Sequence, residues 1–189
     1  MHDEKHIINN NVAYGLLQIG AASYFDMGVA DEQPYDPISY GQSDTLTVTF
    51  SVPPGNLSAV TRFDVRDAHL EDVLSVGHPF EVVAFQGSDT KMWGEPIENF
   101  SLKPGLHDPP AVITVAYDET DIAGRDADKL RLYRQTLSGW EDATCAGYRV
   151  QRFPDDGVIA VPVCQTGTFV LSDEALRSFV YLPAVFRSH

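Results

Sequence analysis

Positive charge is scarce in this sequence. Lysine and arginine together number 13, against 27 aspartate and glutamate residues, which gives a net charge of −14 at pH 7. The phosphates of a nucleic acid would be repelled by such a chain, so nucleic acid is excluded as a partner. The basic residues do not cluster, and attachment to an anionic membrane surface is therefore not predicted.

Long apolar runs are missing as well. Residues 7–25 carry no charged side chain, but three asparagines and Gln18 make the stretch too polar for a membrane span, so no transmembrane segment is predicted. The opening residues, MHDEKHIINNN, are charged and polar where the apolar part of a signal peptide would begin. Two interpretations follow: the chain is a mature fragment with an added Met1, or the protein is cytoplasmic.

Cysteine is limited to two residues, which stand at the two ends of CAGYRVQRFPDDGVIAVPVC, residues 145–164. The PDDG stretch between them predicts the turn of a β-hairpin. If Phe153 faces Val158 across this turn, Cys164 faces Gly147, two residues away from Cys145. That diagonal is slightly too long for a disulfide, although the glycine and a proline near Cys164 allow a local adjustment of the pairing.

The sequence does not support thiol exchange or zinc binding by the two cysteines. The sequence has no CxxC motif for thiol exchange and no cysteine or histidine cluster that would complete a zinc site. We therefore favour a disulfide between Cys145 and Cys164, with two buried unpaired thiols as the alternative. A structural disulfide indicates an oxidising compartment, so the predicted location is extracytoplasmic, either secreted or at the cell surface.

Helical periodicity is nearly absent, whereas strand patterns recur along the chain. In TLTVTFSV, residues 45–52, every second residue is apolar: Leu46, Val48, Phe50 and Val52. Further strand candidates, separated by turn-forming residues, are 61–67, 79–85, 98–102, 111–117, 129–135, 139–145, the two arms of the hairpin and 167–172. Such a succession of short strands predicts an all-β sandwich or barrel, and we expect an antiparallel β-sandwich.

The two ends of the chain lack this regularity. We assign residues 1–44 to an irregular N-terminal segment, 45–172 to the sandwich, and 173–189 to an apolar tail with a short helix at 173–179. Two packed halves, 45–110 and 111–172, are an alternative organisation of the sandwich. Within the N-terminal segment, VAYGLLQIGAASYF at 12–25 fits either a strand pair or a short helix.

Several of these stretches resemble one known family. TLTVTFSVPPGNL at 45–57 is similar to the entry strand and proline–glycine turn of ZU5-like domains, and GHPFEVVAFQ at 77–86 resembles the strand that follows in their bacterial relatives. AVITVAYDETDIAGRDADKLRLYRQTLSGWEDAT, followed by Cys145, VPVC and TGTFVL, resembles the second half of those bacterial modules. The resemblance covers residues 45–172 and implies a non-catalytic β-sandwich domain of a secreted or cell-surface bacterial protein.

The sequence departs from this family at one place that matters for chemistry. Some ZU5-type proteins cleave themselves at a His-Phe-Ser sequence near the end of the module, where this chain has Gly167, Thr168, Phe169 and Val170. Both the assisting histidine and the serine nucleophile are missing. The sequence also contains no nucleophile elbow, phosphate-binding loop or dinucleotide-binding fingerprint. We therefore predict that the protein is not an enzyme and needs no cofactor.

One candidate metal site is an acidic loop, YDETDIAGRDAD at residues 117–128. Its carboxylates are hard oxygen ligands of the kind that Ca²⁺ prefers, and the candidate ligands are Asp118, Asp121, Asp126 and Asp128. The spacing is not that of an EF-hand. A solvated acidic loop in an acidic protein is the alternative interpretation.

Candidate partner contacts lie near the chain ends and at one tryptophan. Residues 12–25 and 179–186 are apolar and uncharged, so we expect them to contact a protein partner or a second copy, unless both fold back onto their own domain. The candidate contacts there are Tyr14, Leu16, Leu17, Tyr181, Leu182 and Phe186. Trp93, in a loop-like stretch, is expected to be an exposed contact, whereas Trp140 is expected in the core.

The sequence as a whole predicts a non-catalytic extracytoplasmic module that acts in protein–protein assembly, at a bacterial surface or in a larger complex. The alternative is a carbohydrate- or calcium-dependent surface-binding module that uses the loops around Trp93 or residues 118–128.

Overall fold

The structure is a computed structural model that describes residues 5–9, 12–19, 22–27, 37–42, 45–53, 61–68, 70, 73, 75–86, 95–97, 99–102, 109–174 and 176. For the first three of these ranges it describes the strands and their pairing. The remaining ranges are described with their side chains.

The described residues form thirteen strands and very little helix. The strands are β1 (Lys5–Asn9), β2 (Val12–Ile19), β3 (Ala22–Met27), β4 (Ile38–Gly41), β5 (Thr47–Ser51), β6 (Thr61–Asp67), β7 (Val76–Gln86), β8 (Ala111–Ala116), β9 (Arg131–Thr136), β10 (Gly139–Asp142), β11 (Gln151–Phe153), β12 (Val158–Val163) and β13 (Gly167–Ser172). A single turn of α-helix, α1 (Glu119–Ile122), and two 3-10 turns, Ala127–Lys129 and Pro154–Asp156, complete the list.

These strands build two antiparallel sheets. The larger sheet has eight strands in the order β1-β2-β3-β6-β7-β13-β9-β10, and the smaller has five in the order β11-β12-β8-β5-β4. Every strand pairing is antiparallel. The predicted all-β antiparallel sandwich is confirmed.

An aromatic core joins the two sheets. Phe50 of β5 and Phe63 of β6 are fully buried, and their rings meet edge to face with centroids 5.1 Å apart. Within the larger sheet, Phe80 of β7 and Phe169 of β13 stack with centroids 5.6 Å apart. Because Phe50 and Phe63 belong to different sheets, their contact holds the smaller sheet against the larger one.

The alternating stretch at 45–52 behaves as its pattern predicts. Its four apolar side chains are no more than 3 % exposed and belong to the core; they are Leu46, Val48, Phe50 and Val52. The threonines between them are partly exposed on the opposite face of β5. A strand with one buried face and one polar face is what an antiparallel sandwich requires.

The N-terminal segment is more regular than the sequence indicates. Of the two readings of residues 12–25, the strand pair is correct: β2 and β3 are antiparallel neighbours, and β1 pairs with the other side of β2. β3 continues the larger sheet by pairing with β6, where Phe25 lies opposite Phe63. The strand β4, which also falls within residues 1–44, pairs with β5 in the smaller sheet.

The cysteine hairpin has the predicted register at its turn and a different one at its base. Phe153 lies opposite Val158, as expected, but further down the hairpin Thr144 pairs with Val163, a shift of four residues. A turn accommodates the shift: the Tyr148 amide donates to the Cys145 carbonyl at 3.1 Å, and Gly147 has a φ of +87°.

The shifted register brings the two cysteines together. Their Cα atoms lie 5.0 Å apart, within the usual range for a disulfide, and Cys145 and Cys164 are bonded. The alternative of two unpaired thiols is therefore wrong. The adjustment that the sequence analysis required is larger than a bulge, because the chain makes a turn at residues 146–147, directly after Cys145.

Two predicted strands are shorter than expected. Among its described residues, the candidate at 98–102 forms an isolated bridge between Ser101 and Gln165. Asn99 adopts a left-handed conformation with φ of 53°, which is unfavourable for a non-glycine residue and interrupts the extended backbone. The candidate at 139–145 ends at Asp142. Most of the predicted C-terminal helix at 173–179 lies outside the described residues.

Reduction of the disulfide is expected to destabilise the protein without unfolding it. The bond joins residues 19 positions apart, and a cross-link of that span contributes about 3 kcal/mol on the chain-entropy model. For a chain of this size that corresponds to a fall in Tm of roughly 6–12 °C, measured by thermal unfolding with and without reductant. The matched control is the Cys145→Ala/Cys164→Ala double variant, whose Tm should not respond to reductant. An unchanged wild-type Tm under reduction would contradict this prediction.

Candidate functional site

The outer face of the larger sheet carries a line of polar side chains that crosses several strands. On neighbouring strands β6 and β7, Arg66 lies opposite Glu81, and on β7 and β13, Glu81 lies opposite Thr168. Core positions such as Val82 alternate with these residues along the strands. Antiparallel registry therefore aligns the three polar side chains on the side of the sheet that faces away from the core.

The line continues across the last two strands of the sheet. Since Phe169 lies opposite Arg134, the adjacent positions Thr168 and Gln135 are neighbours between β13 and β9. Gln135 is in turn directly opposite Trp140 on β10. We call the set Arg66, Glu81, Thr168, Gln135 and Trp140 the polar row.

Trp140 corrects one expectation from the sequence. It is half-buried and does not belong to the core, because its partner Gln135 is three positions from the core residue Leu132 and so lies on the opposite face of β9. A tryptophan at this position has part of its surface accessible beside an exposed amide.

A groove with a volume of 560 Å³ runs beside the polar row. It is lined by Arg66, Glu81, Val82, Val83, Pro96, Ile97, Asn99, Gln135, Thr136, Leu137, Thr166, Gly167 and Thr168. Leu137, in the turn between β9 and β10, is fully exposed at its rim. One step further along the strands, Val170 and Tyr133 are buried, so the polar row is the accessible part of this region of the sheet.

The charged members of the row neutralise one another. The Arg66 guanidinium contacts one carboxylate oxygen of Glu81 through two nitrogens, at 2.9 and 3.0 Å. The side chains of Arg66 and Glu81 are 45 % and 32 % exposed. An ion pair this exposed contributes little to stability. Because both side chains are partly exposed, their polar atoms are accessible to a further partner.

The side chain of Asn99 is held in place by Arg134. Its side-chain oxygen accepts a hydrogen bond of 2.7 Å from Arg134, whose guanidinium also pairs with Glu141. Because the oxygen is taken by Arg134, the amide nitrogen of Asn99 remains as a donor, and it has no hydrogen-bond acceptor among the described residues. Asn99 also lines a second, adjoining depression of 460 Å³ with Gln165 and Ser138.

The acidic loop is organised around its own backbone. Asp118 caps α1: its carboxylate accepts from the amides of Thr120 and Asp121 at 2.8 and 3.0 Å, and Asp121 accepts from the Asp118 amide in return. Asp126 caps the following 3-10 turn and pairs with Lys129 at 2.8 Å. These are capping interactions, which satisfy the first amides of a helical turn.

The cap and ion-pair contacts of this loop lower the pKa values of two of its aspartates. The hydroxyl of Thr120, followed by the Asp121 amide, holds the pKa of Asp118 below its ordinary value. The ammonium of Lys129 lowers the pKa of Asp126 in the same way.

The structure does not assemble the proposed calcium ligands. Among the residues that it describes, no group of three or more histidine, cysteine, aspartate or glutamate side chains is placed to hold a metal ion. Asp118, Asp121 and Asp126 direct their carboxylates to backbone amides or to Lys129, and Asp128 joins no such group. The solvated acidic loop, stabilised by its caps, is the reading that the geometry supports.

Several predicted contact residues cannot be placed at a site. Trp93, Tyr181, Leu182 and Phe186 lie outside the described residues. Tyr14, Leu16 and Leu17 belong to β2, where Tyr14 lies opposite Ile7 of β1 and Leu17 opposite Tyr24 of β3. They are part of the three-stranded extension of the larger sheet, which here is formed within the chain.

Comparison with known proteins adds no relative. No family model matches the chain, and neither the curated proteins nor the solved structures give a match. In the part of the chain that the structure describes, no helix has the length and apolar character needed to cross a membrane. The function is therefore inferred from the geometry of the chain itself.

Sequence reasoning missed the polar row. Its five members come from five strands and are spread over more than a hundred positions, without any motif spacing. The only sequence signal is strand alternation, which marks Arg66, Glu81 and Gln135 as outward-facing. Alternation does not tell which outward positions of which strands become neighbours.

Substitution of Asp118 by alanine is expected to expose the amides of Thr120 and Asp121. The protection of these amides from hydrogen exchange depends on the ionised carboxylate of Asp118, whose pKa is lowered. The stabilisation by the cap is therefore complete at neutral pH. It is lost only as the pH falls through that lowered pKa. Wild-type protection factors, measured by hydrogen exchange and NMR, should fall only at acid pH, whereas Asp118→Ala should lack protection throughout.

The matched control is Glu119→Ala, which removes the neighbouring carboxylate. Glu119 is exposed and no capping contact is formed by its side chain among the described residues. Its removal should leave both amides protected. Equal protection in Asp118→Ala and the wild type would show that the carboxylate is not the cap.

Proposed function

We propose that the protein is a non-catalytic, extracytoplasmic interaction module of ZU5-like type, and that it assembles with a second copy through its N-terminal strands. The observation that carries this proposal is the unequal size of the two sheets. The larger sheet has three more strands than the smaller one, and all three, β1 to β3, come from the N-terminal segment. We call β1 to β3 the N-terminal extension.

The extension occupies one end of the larger sheet in the strand order. The smaller sheet ends at β4 on this side, and β4 contacts β3 and β6 of the larger sheet. β1 and β2 lie further out in the strand order, beyond this contact. An isolated pair of strands is only marginally stable, so a further strand that pairs with β1 would be favourable.

The edge of the extension is suited to pairing with another chain. β1 is the last strand of the larger sheet, and in the order of described strands its outer backbone groups face no neighbour. Such an edge is a template for a further strand. Two copies of KHIIN paired antiparallel about Ile7 would place Lys5 opposite Asn9, so no like charges would meet, and twofold symmetry closes the pair.

The extracytoplasmic location is supported by the disulfide. Cys145 and Cys164 are the two cysteines of the sequence and they are bonded to each other. Disulfides with a structural role persist in oxidising compartments and are rare in the cytosol. The resemblance to secreted and cell-surface bacterial modules points to the same location.

The non-catalytic character is supported by the closing strand and by the titrating groups. At the position of the ZU5 cleavage sequence, Phe169 is fully buried and stacks on Phe80, which is a structural role. The lowered pKa of Asp118 and that of Asp126 have their causes in capping and ion-pair contacts. Burial, followed by a side-chain hydrogen bond with Asp67, raises the pKa of Tyr40. These shifts come from contacts that stabilise the fold.

Proline substitution in β1 tests the proposed edge. Successive amides of a strand point to opposite sides, so of Ile7 and Ile8 one donates towards β2 and the other towards the free edge. One of the variants Ile7→Pro and Ile8→Pro should therefore lose self-association while keeping the wild-type Tm, and the other should lower the Tm. Light scattering after size exclusion gives the oligomeric state, and thermal unfolding gives the Tm.

Deletion of residues 1–36 provides the second measurement. The cut precedes β4, which belongs to the smaller sheet. The shortened chain should be a monomer that unfolds cooperatively. A full-length protein that stays monomeric at every concentration, or proline variants that both associate as the wild type does, would contradict assembly through β1.

A further inference from the structure

The polar row and the groove beside it offer a second kind of binding surface, distinct from the strand edge. The row presents a guanidinium, a carboxylate, a hydroxyl, an amide and an indole in succession, which are the side chains of Arg66, Glu81, Thr168, Gln135 and Trp140. Arg66 and Gln135 are exposed and the other three are partly buried.

Two of these side chains are available for a ligand. Neither Thr168 nor Gln135 forms a side-chain hydrogen bond within the described part of the chain. A hydroxyl and an amide both donate and accept. Glu81 adds acceptor oxygens on the same face of the sheet. Asn99 lines the same groove but is held by Arg134, on the side of β9 that carries Leu132.

The charge balance of the groove selects against charged ligands. Arg66 is neutralised by Glu81 at 2.9 Å, so no uncompensated positive charge attracts an anion, and the net charge of −14 repels one. The ligand that satisfies such a groove is itself uncharged and carries closely spaced groups that both donate and accept. Vicinal hydroxyl groups have this property.

The polar row itself offers side chains and no strand edge. Where the row crosses the middle of the sheet, Thr168 of β13 lies opposite Glu81 of β7, and Glu81 lies opposite Arg66 of β6, so β7 is paired on both sides at this position. Recognition along the row therefore comes from side chains.

Trp140 provides the apolar part of the surface. It stands directly opposite Gln135 and is half-buried on an edge strand, with the fully exposed Leu137 in the preceding turn. An indole combines a broad apolar face with one N–H donor. The apolar face of a sugar ring can stack on such a group while its hydroxyls reach the adjacent amide and hydroxyl.

We propose that the polar row and the groove beside it bind a neutral saccharide. Trp140, which lies opposite Gln135 at the end of the row and outside the lining of the groove, is the stacking platform, and Gln135, Thr168 and the Arg66–Glu81 pair are hydrogen-bonding partners. The groove volume of 560 Å³ lies within the range of small-molecule sites.

Binding is tested with the full chain and two forms of the same chemistry. Soluble neutral hexasaccharides of glucose, xylose and N-acetylglucosamine are titrated by isothermal calorimetry, and the corresponding polysaccharides are tested by affinity gel electrophoresis. Binding to both forms indicates recognition within the chain, whereas binding to the hexasaccharides alone indicates a free oligosaccharide as the ligand; either result supports the site. Tryptophan fluorescence should change on binding, and Trp140→Phe should lose most of that change while retaining part of the affinity.

Matched variants locate the site. Gln135→Ala removes an exposed amide and should weaken binding about fivefold to tenfold, the effect of one or two lost hydrogen bonds. Gln151→Ala removes another exposed glutamine, from β11 of the other sheet, and should leave affinity unchanged. Trp140→Ala should weaken binding further than Gln135→Ala, with thermal unfolding used to confirm that the variant is folded.

Three results would overturn the proposal. They are the absence of binding to every saccharide in the panel, equal affinity of Gln135→Ala and the wild type for a saccharide that does bind, and displacement of the saccharide by a peptide that binds the groove more tightly. The oligomeric state of the groove variants should match the wild type, which separates this site from assembly through β1.

Discussion

The pairing of β13 between β7 and β9 is the contact on which the rest of the structure depends. It joins β6 and β7, from the first part of the sandwich, to β9 and β10, from the second. In the smaller sheet, β8 holds the same position between β5 and β12. Both sheets therefore contain strands from the ranges 45–110 and 111–172, and each range depends on the other to complete its sheets.

This interleaving explains where the core lies. Phe169 of β13 stacks on Phe80 of β7, and Leu171 lies next to Leu132 of β9, so the closing strand contributes side chains to both of its neighbours. All four residues are buried. Without β13 the outer strands β9 and β10 would be a separate hairpin, which is marginally stable alone. Pairs so distant in sequence form slowly, because a long loop must close before the contact is made.

The same pairing creates the polar row. Arg66 and Glu81 precede β13 in the chain by many residues, and Gln135 and Trp140 lie on the hairpin that β13 brings against them. The groove therefore forms only when β13 has paired with both β7 and β9. It is a product of tertiary structure, in contrast to the disulfide hairpin and the acidic loop, which are built from residues close in sequence.

That difference accounts for what the sequence could predict. The alternation at Leu46, Val48 and Phe50 identified a buried strand face, and the PDDG stretch identified a turn with the correct partner residues Phe153 and Val158. Both signals are local. The order of the strands could not be read in the same way, since any outward-facing position can neighbour any other until the sheet is assembled.

The clustered aspartates of the acidic loop are compatible with either a calcium site or a series of helix caps. Clustered aspartates are typical of calcium sites, but aspartate is also a preferred capping residue, because its short side chain reaches the amides of the next turn. In a calcium site the carboxylate oxygens of several residues point to one ion, whereas in a cap they accept hydrogen bonds from backbone amides. The carboxylates of Asp118 and Asp126 accept from backbone amides. The acidic loop therefore forms two structured turns, and no metal site is assembled among the described residues.

Trp140 shows why a single position can be misjudged. A tryptophan that leads a strand is a reasonable core residue, but the face on which it falls is set by its register with the neighbouring strand. Here Trp140 faces Gln135, and Glu141 faces Arg134. A shift of one residue in this hairpin would exchange the faces and bury the indole among core residues. The turn at Ser138, with Thr136 accepting from the Ser138 amide and donating to the Gly139 carbonyl, fixes that register.

The two proposed surfaces would use different means of recognition. At β1 the available groups belong to the backbone, which any extended strand can pair with, so selectivity must come from symmetry and from which residues face each other. On the face of the larger sheet β13 is paired with both β7 and β9, and the polar row presents side chains to a ligand. The first surface suits a partner that continues the sheet. The second suits a ligand that has no strand to offer, and because the two surfaces share no residue, occupation of one leaves the other free.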